Sequence, residues 1–239
     1  MSSASAIESA ERDAILEALA AVERRIDAAC EASRRCRDEV SLLPVTKTVP
    51  VERIAVAVEA GYRQLGENRV QEAAGKSEAL SGRGIEWHLI GHLQRNKVKQ
   101  ALDFVHCVES VDRPALVERL ARQLEAREAR CEVLIQVNTS GAESQFGVTP
   151  GEVPSLAAAI AAESSLDLRG LMTIGRLVED PEDARDCFRM LRELRDRLQQ
   201  QLGTSLPVLS MGMSGDLDVA IAEGATRVRV GSAIFGERS

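Results

Sequence analysis

The stretch Val40-Ser-Leu-Leu-Pro-Val-Thr-Lys-Thr-Val-Pro50 is a short apolar run that ends in one lysine just before a helix signal. Its leucines and valines predict a buried strand, and Pro50 predicts the start of the next helix. Lys47 would then end the strand on the same face as Leu43 and Val45. A buried amine tends to lose its proton and to become a nucleophile able to form a Schiff base. The alternative is a lysine that extends from a strand end into water.

The same strand-and-helix unit recurs along all 239 residues. Strands are predicted at about 42–45, 62–66, 86–91, 104–109, 131–138, 166–174, 206–211 and 226–232. Eight strands, each followed by a helix, predict a (β/α)8 TIM-type barrel. A doubly wound open sheet is the alternative, but no Gly-x-Gly-x-x-Gly motif follows the first strand. We expect one domain over residues 1–239, with an extra amino-terminal helix within residues 1–36 on the outside of the barrel.

Composition narrows the class of protein further. The formal net charge of -7 argues against nucleic acid as a partner, because a polyanion needs a basic face. The sequence shows neither a signal peptide nor an apolar run of membrane-spanning length, so we expect a cytoplasmic protein with no membrane partner. Five cysteines without a Cys-x-x-Cys pair suggest reduced thiols. His88 and His92 lack the glutamate of a zinc protease motif, so no metal site is expected.

Two glycine-rich stretches follow the last two predicted strands, at residues 212–216 and 231–236. Barrels of this type commonly bind a phosphate between these two loops. The glycines let the backbone approach an anion, and Ser214 adds a hydroxyl. Ordinary turns and a helix cap are the alternative interpretation. Two such loops on adjacent strands favour a phosphate cradle.

A lysine nucleophile and a phosphate cradle on one face indicate a phosphorylated carbonyl compound. Pyridoxal 5'-phosphate (PLP) and a sugar phosphate are both candidates. Alternation in the last strand turns Arg229 toward the proposed cradle, where it could donate a hydrogen bond to a pyridine nitrogen but supply no negative charge. Arg229 could instead pair with a carboxylate inside the barrel. Asn68, three residues before Gln71, could be the cap of a capping box.

Several sequence blocks resemble the YggS/PROSC family of PLP-binding proteins, whose barrel is similar to the amino-terminal domain of bacterial alanine racemase. The blocks are Thr46–Pro50, Gly66–Glu72, Trp87–Gly91 with Leu93-Gln94 and Asn96-Lys97, Leu168–Met172, Ser210–Asp216 and Val228–Gly236. They run in the family's order through most of the chain. This order makes the resemblance specific.

The resemblance implies a Schiff base between PLP and Lys47, with the phosphate held by Ser214, Gly231 and Ser232. It also implies that Arg229 faces the pyridine nitrogen and that Asn68 lies near the ring. His88 and Ser210 join this cofactor-binding set because they lie late in the third and seventh strands. The complete predicted set is Lys47, Asn68, His88, Ser210, Ser214, Arg229, Gly231 and Ser232. One departure is Gln145, where the family usually has lysine.

The family's role is homeostasis of vitamin B6 and amino acids, which implies a protein that binds PLP without clear catalytic turnover, with amino acids and PLP-accepting apoenzymes as further partners. We expect a monomer. A PLP-dependent racemase or lyase and a cofactor-free aldolase remain alternatives. Racemases of this type take a second proton acceptor, a tyrosine, from an additional carboxyl-terminal β domain. We expect that domain to be absent, since the chain ends soon after the last barrel block. Its one tyrosine, Tyr62, is predicted at the far end of the barrel from Lys47.

Overall fold

The computed structural model describes residues 7–176 and 178–236. Within these ranges eight strands form one parallel sheet in the order β1-β8-β7-β6-β5-β4-β3-β2. The strands are β1 (Ser41–Pro44), β2 (Gln64–Glu67), β3 (Glu86–Leu89), β4 (Val105–Val111), β5 (Cys131–Gln136), β6 (Leu166–Met172), β7 (Val208–Ser210) and β8 (Arg227–Val230).

The sheet closes on itself between β1 and β2. Val45, just past β1, forms a parallel bridge with Gly66 of β2, and the Thr46 amide donates to the Gly66 carbonyl at 2.9 Å. Since β1 also pairs with β8, the first strand has neighbours on both sides. The predicted (β/α)8 barrel is therefore confirmed, and the open-sheet alternative is wrong.

Helices surround the barrel and connect its strands. They are α1 (Ser9–Ala32), α2 (Val51–Glu59), α3 (Val70–Ala79), α4 (Val98–Ala101), α5 (Pro114–Glu125), α6 (Val153–Ala161), α7 (Arg185–Leu202), α8 (Leu217–Ala222) and α9 (Ser232–Phe235). Short 3-10 turns at Arg95–Lys97, Pro150–Glu152 and Pro181–Ala184 lead into α4, α6 and α7. Pro114 occupies the first turn of α5, where its missing amide removes no intrahelical hydrogen bond.

The predicted extra helix is α1, which packs against α2, α8 and α9. Its buried residues fall at helical spacing: Ile15, Leu19, Val22, Ile26, Ala29 and Cys30. This apolar stripe faces the barrel's helical layer, as the sequence pattern predicts. The Arg25 guanidinium on α1 donates to the Ser214 carbonyl at 2.5 Å and pairs with Asp218 on α8. Helix α1 thus contacts a loop at the carboxyl end of β7.

The barrel interior has an apolar part and a polar part. Cys107, Leu134 and Met172 pack together as a small buried apolar cluster. Next to it lie buried charged groups, of which Glu109 and Arg227 form an ion pair at 2.9 Å. Charges at this depth need partners, so these side chains are fixed by one another.

None of the helices in residues 7–176 and 178–236 is both long and apolar enough to cross a membrane.

Candidate functional site

A cavity of about 1450 Å³ opens at the carboxyl ends of the strands. Five of the predicted residues line it: Lys47, Asn68, Ser214, Arg229 and Ser232, and Gly231 adds its backbone. Its lining includes five Lys or Arg side chains, Lys47, Arg53, Arg69, Lys97 and Arg229, and no Asp or Glu among the residues described. In a chain with net charge -7, this local excess of positive charge suits an anionic ligand.

Lys47 lies in a turn just past β1. Strand pairing continues through Val45 and the Thr46 amide, and then the chain turns, with Thr48 in the left-handed region at φ 63°. The side chain of Lys47 is half-buried. Lys47 lies close to the carboxyl end of β1, as predicted, but it is neither part of the strand nor buried on the face of Leu43, because the chain leaves the strand before Lys47.

Two hydroxyl groups meet at the other side of the cavity. Ser232 Oγ lies 3.1 Å from Ser214 Oγ, which joins the loop after β7 to the loop after β8. The first loop is closed by the Met213 amide, which donates to Asp216 Oδ1 at 2.6 Å. Helices α8 and α9 have only six and four residues, so their dipoles contribute little. The paired hydroxyls are therefore the main feature of the predicted cradle.

Glycines allow these loops to pack tightly. Gly212 has φ 90°, and a Cβ there would lie 2.5 Å from the Cβ of Ala220. A Cβ on Gly231 would lie 3.0 Å from the Val45 carbonyl oxygen, beside the lysine turn. Gly212 therefore requires glycine, and at Gly231 a side chain would press against the Val45 backbone.

Arg229 extends from β8 into the floor of the cavity and is 4% exposed. Its guanidinium donates to Ser210 Oγ at 2.9 Å and to the Thr173 carbonyl at 2.7 Å. Burial lowers the pKa of Arg229, opposed by Glu109 and Asp216. The direction predicted from strand alternation is observed, and the direct carboxylate pair belongs to Arg227 instead.

Glu109 is the centre of the buried network beneath Arg229. Its carboxylate accepts from Ser210 Oγ at 2.5 Å and from Arg227 at 2.9 Å, and lies 2.9 Å from His88 Nδ1. Burial alone would raise the pKa of Glu109. The hydrogen bond with His88 and the charge of Arg227 outweigh burial and lower this pKa to about 2. A carboxylate, a hydroxyl and a guanidinium thus form one chain that ends at the cavity.

His88 and Ser210 belong to this network rather than to the cavity wall. Both are buried, at 2% and 0% exposure, and neither is among the residues that line the cavity. The Cys107 sulfur, His88 and Glu109 come within 4.8 Å of one another. A cation there would have to compete with Arg227, whose Nη1 lies 3.3 Å from His88 Nδ1. The structure places His88 and Ser210 as supports of Arg229.

Asn68 lines the cavity between β2 and α3. The capping-box expectation is wrong, because α3 begins at Val70 with Arg69 as its N-cap, and the residues described provide no side-chain cap there. Its side chain is therefore not used to cap α3. This leaves it available to a ligand.

Sequence reasoning missed an aromatic contact at the mouth of the cavity. The rings of His92 and Phe146 stack with centroids 4.0 Å apart, and Phe146 is 56% exposed. Lys97 also lines the cavity. These residues come from the loops after β3 and β5. Only closure of the barrel brings those loops together, so no local signal could have paired them.

Gln145 fixes the loop that carries Phe146. Its Nε2 donates to the Gly175 carbonyl at 2.8 Å, and its Oε1 accepts from Ser140 Oγ at 2.8 Å. The Asn138 side-chain amide donates to the Ala142 carbonyl at 2.8 Å across the same loop. The departure at Gln145 therefore has a structural role in this chain.

The family model described as "Alanine racemase, N-terminal domain" matches residues 18–239, and the chain belongs to that family.

Among the relatives are proteins named "Pyridoxal phosphate homeostasis protein". The one from Aquifex aeolicus is 45% identical over 222 residues, which cover 93% of this chain and 97% of that protein. The one from Escherichia coli K12 is 40% identical over 227 residues, covering 92% and 95%. The resemblance inferred from the sequence blocks is thus confirmed.

Solved structures agree with this assignment. PipY of Synechococcus elongatus with PLP bound is 34% identical, with a TM-score of 0.82, 93% of this chain covered and 100% of that chain covered. An unknown protein from Bifidobacterium adolescentis is 40% identical, with a TM-score of 0.91, and the match covers 96% of this chain and 97% of that chain. Alanine racemase of Clostridium difficile shares the fold at 13% identity and a TM-score of 0.71, and this chain covers 56% of it.

Proposed function

We propose that this chain binds PLP as a Schiff base on Lys47 and acts in vitamin B6 and amino-acid homeostasis without catalytic turnover. The observation that carries the proposal is the set of groups around one cavity. An amine, a pair of hydroxyls and a buried guanidinium surround it, and the lining described contains no acidic side chain. Relatives named for PLP homeostasis and a neighbour with PLP bound support the same ligand.

The groups present suit each part of PLP. Ser214 and Ser232 supply hydroxyl donors to a phosphate, and the Gly231 backbone borders the same pocket. Arg229 can donate to a pyridine nitrogen, and Asn68 would contact the ring. When bound, PLP supplies an aldehyde. The Lys47 amine adds to its carbon and one water leaves, so a C=N bond replaces C=O without oxidation or reduction.

Two features of the chain's own residues argue against racemase turnover. Arg229 cannot provide a negative charge to the ring nitrogen, so it does not strengthen an electron sink. Racemisation also needs an acceptor on each face of the substrate. Tyr62, the one tyrosine in the sequence, precedes β2 and bonds to Glu23 at 2.8 Å, at the end of the barrel away from Lys47. Tyr62 would therefore not serve as the second proton acceptor.

The proposed partners of the chain are amino acids and the apoenzymes that accept PLP. The cavity is large enough to admit an amino acid beside PLP, and its open mouth would let apoenzymes accept the cofactor.

We propose that residues 1–239 form a single domain and that the protein is a cytoplasmic monomer. In support, Phe146 and Met190 are the exposed large hydrophobic side chains among the residues described. Scattered apolar residues of this kind do not form an extensive interface.

Absorption and chiral analysis test this function together. We expect PLP to give the purified protein a visible absorption band that is absent from Lys47→Ala. We also expect incubation of the holoprotein with L-alanine to yield no D-alanine at a rate proportional to protein concentration. Lack of the band after saturation with PLP would refute the Schiff base. Lys47-dependent D-alanine formation at an ordinary enzyme's turnover of about 10 s⁻¹ would favour the racemase alternative.

A further inference from the structure

A largely buried ion cluster lies directly behind the lysine turn, defined as residues 46–48. The cluster consists of Glu67 on β2 with Glu72 and Lys76 on α3. Lys76 Nζ lies 2.7 Å from Glu67 Oε1 and 2.5 Å from Glu72 Oε1. Lys76 is 6% exposed and Glu67 is fully buried. One ammonium between two carboxylates is thus held out of water, an arrangement that requires close pairing.

Each member of the cluster also bonds to the lysine turn. Lys76 Nζ donates to the Thr46 carbonyl at 2.6 Å. Thr46 Oγ1 donates to Glu67 Oε1 at 2.6 Å, and the Thr48 amide donates to Glu72 Oε1 at 2.5 Å. The residues on both sides of Lys47 are therefore held by charged partners.

The turn needs such support because its backbone is strained. Thr48 has φ 63°, a left-handed conformation that a β-branched residue rarely adopts. Strain of this kind persists only where the surrounding structure fixes it. The bond from the Thr48 amide to Glu72 acts at the strained residue itself. Without it, we expect the turn to relax and Lys47 to move from its place in the cavity.

Electrostatics keep Glu72 in the form that can accept this bond. Burial alone would raise the pKa of Glu72, but the hydrogen bonds from Lys76 and from the Thr48 amide outweigh burial and lower this pKa. Burial raises the pKa of Glu67, which its bonds to Lys76 and Thr46 only partly oppose. Of the two carboxylates, Glu72 therefore stays ionised to the lower pH.

We propose that Glu67, Glu72 and Lys76 are positioning residues that hold the Lys47 amine where it can condense with the aldehyde of the ligand. This inference rests on the proposed function and deepens it. The cluster does not line the cavity, so it acts through the turn and not by contact with the ligand.

Glu72 is the informative position to change. Removing Lys76 would leave two carboxylates without their cation, and the loss of fold would obscure the result. Glu72→Gln keeps an oxygen that can accept from the Thr48 amide, whereas Glu72→Leu removes that acceptor. Glu78→Leu, at an exposed position of the same helix, is the matched control for the change in charge and side chain.

The test compares affinities for PLP and for pyridoxamine 5'-phosphate, which has the same phosphate and ring but no aldehyde. For Glu72→Leu we expect the affinity for PLP to fall about tenfold, while that for pyridoxamine 5'-phosphate is unchanged. Glu72→Gln and Glu78→Leu should keep the wild-type ratio. If Glu72→Leu loses affinity equally for both ligands, or loses affinity for neither, the proposal is wrong.

Hydrogen exchange of the protein without ligand provides a second measurement. The Thr48 amide should exchange at least about tenfold faster in Glu72→Leu than in Glu72→Gln or Glu78→Leu. Equal exchange in all three variants would show that the cluster does not hold the turn. If the wild-type protein itself fails to prefer PLP over pyridoxamine 5'-phosphate, the Schiff base is refuted, and the exchange result still decides whether the cluster positions the turn.

Discussion

At the scale of single residues, the structure brings together two hydroxyls that the sequence could only suggest as parts of a phosphate site. The side chains of Ser214 and Ser232 come from different loops, yet their oxygens lie 3.1 Å apart. One hydroxyl at a loop is commonly a helix cap, but the loops here leave both hydroxyls at the cavity. A pair of donors at one point suits a phosphate better than a neutral group.

The double variant Ser214→Ala/Ser232→Ala tests this pair. A hydrogen bond to a charged group contributes roughly 1.5–3 kcal/mol, so each lost hydroxyl should weaken PLP binding by about one to two decades. Equilibrium dialysis measures the change, with the exposed Ser205→Ala as control. Undiminished affinity in the double variant would mean that the phosphate binds elsewhere.

Residue patterns explain why Arg229 was predictable and the ion cluster was not. Alternation within β8 is local, so the inward direction of Arg229 follows from counting residues. Glu72 and Lys76 have the i, i+4 spacing of an exposed helix pair, and nothing in that spacing reveals that Lys76 is buried and Glu72 partly buried. Their burial follows from the way α3 packs over β2. The sequence likewise shows Asn68 and Gln71 at capping distance, but α3 begins two residues after Asn68.

At the scale of elements, strands and helices were predictable because the strand-and-helix unit repeats, and prolines and glycines mark where helices begin and end. Pro114 begins α5, and Gly203 adopts φ 64° just after α7. Loop contacts across the barrel were not predictable. Phe146 meets His92 only because two connections of different length end at the same rim.

Gln145→Lys tests the loop after β5. Lysine could still donate toward the Gly175 carbonyl but could not accept from Ser140 Oγ. We expect a loss of roughly 1 kcal/mol in the free energy of local opening, seen as about fivefold faster hydrogen exchange in residues 138–147. The exposed Gln201→Lys serves as control. If the loop exchanges no faster in Gln145→Lys, these side-chain bonds do not hold it.

At the scale of the whole molecule, the barrel carries a charged network through its interior up to the cavity. Glu109 links β4 to Arg227 on β8 and, through Ser210, to Arg229. Breaking a buried pair leaves a charge without compensation. The network therefore ties the stability of the barrel to the arrangement of its ligand site.

Glu109→Gln should show a characteristic pH dependence. The pKa of Glu109 in the folded protein is about 2, below its ordinary value of 4.5, so its charge stabilises the fold above about pH 4.5. That contribution is lost as the pH falls from about 4.5 toward 2. The variant should be less stable than wild type by about 3 kcal/mol at pH 7, and the difference should shrink below pH 4.5.

Urea unfolding between pH 7 and pH 2.5 measures this difference, with the exposed Glu31→Gln as control. A difference between wild type and Glu109→Gln that stays constant over the whole range would contradict the ionised state assigned to Glu109.

Reduction with borohydride, followed by peptide mass analysis, tests the Schiff base on Lys47 most directly. The protein is saturated with PLP, reduced and digested, so that any C=N bond becomes a stable amine. We expect one pyridoxyl group on the peptide that contains Lys47, and none in Lys47→Ala. A pyridoxyl group on another lysine, such as Lys97 in the same cavity, or no modification after saturation, would contradict the account.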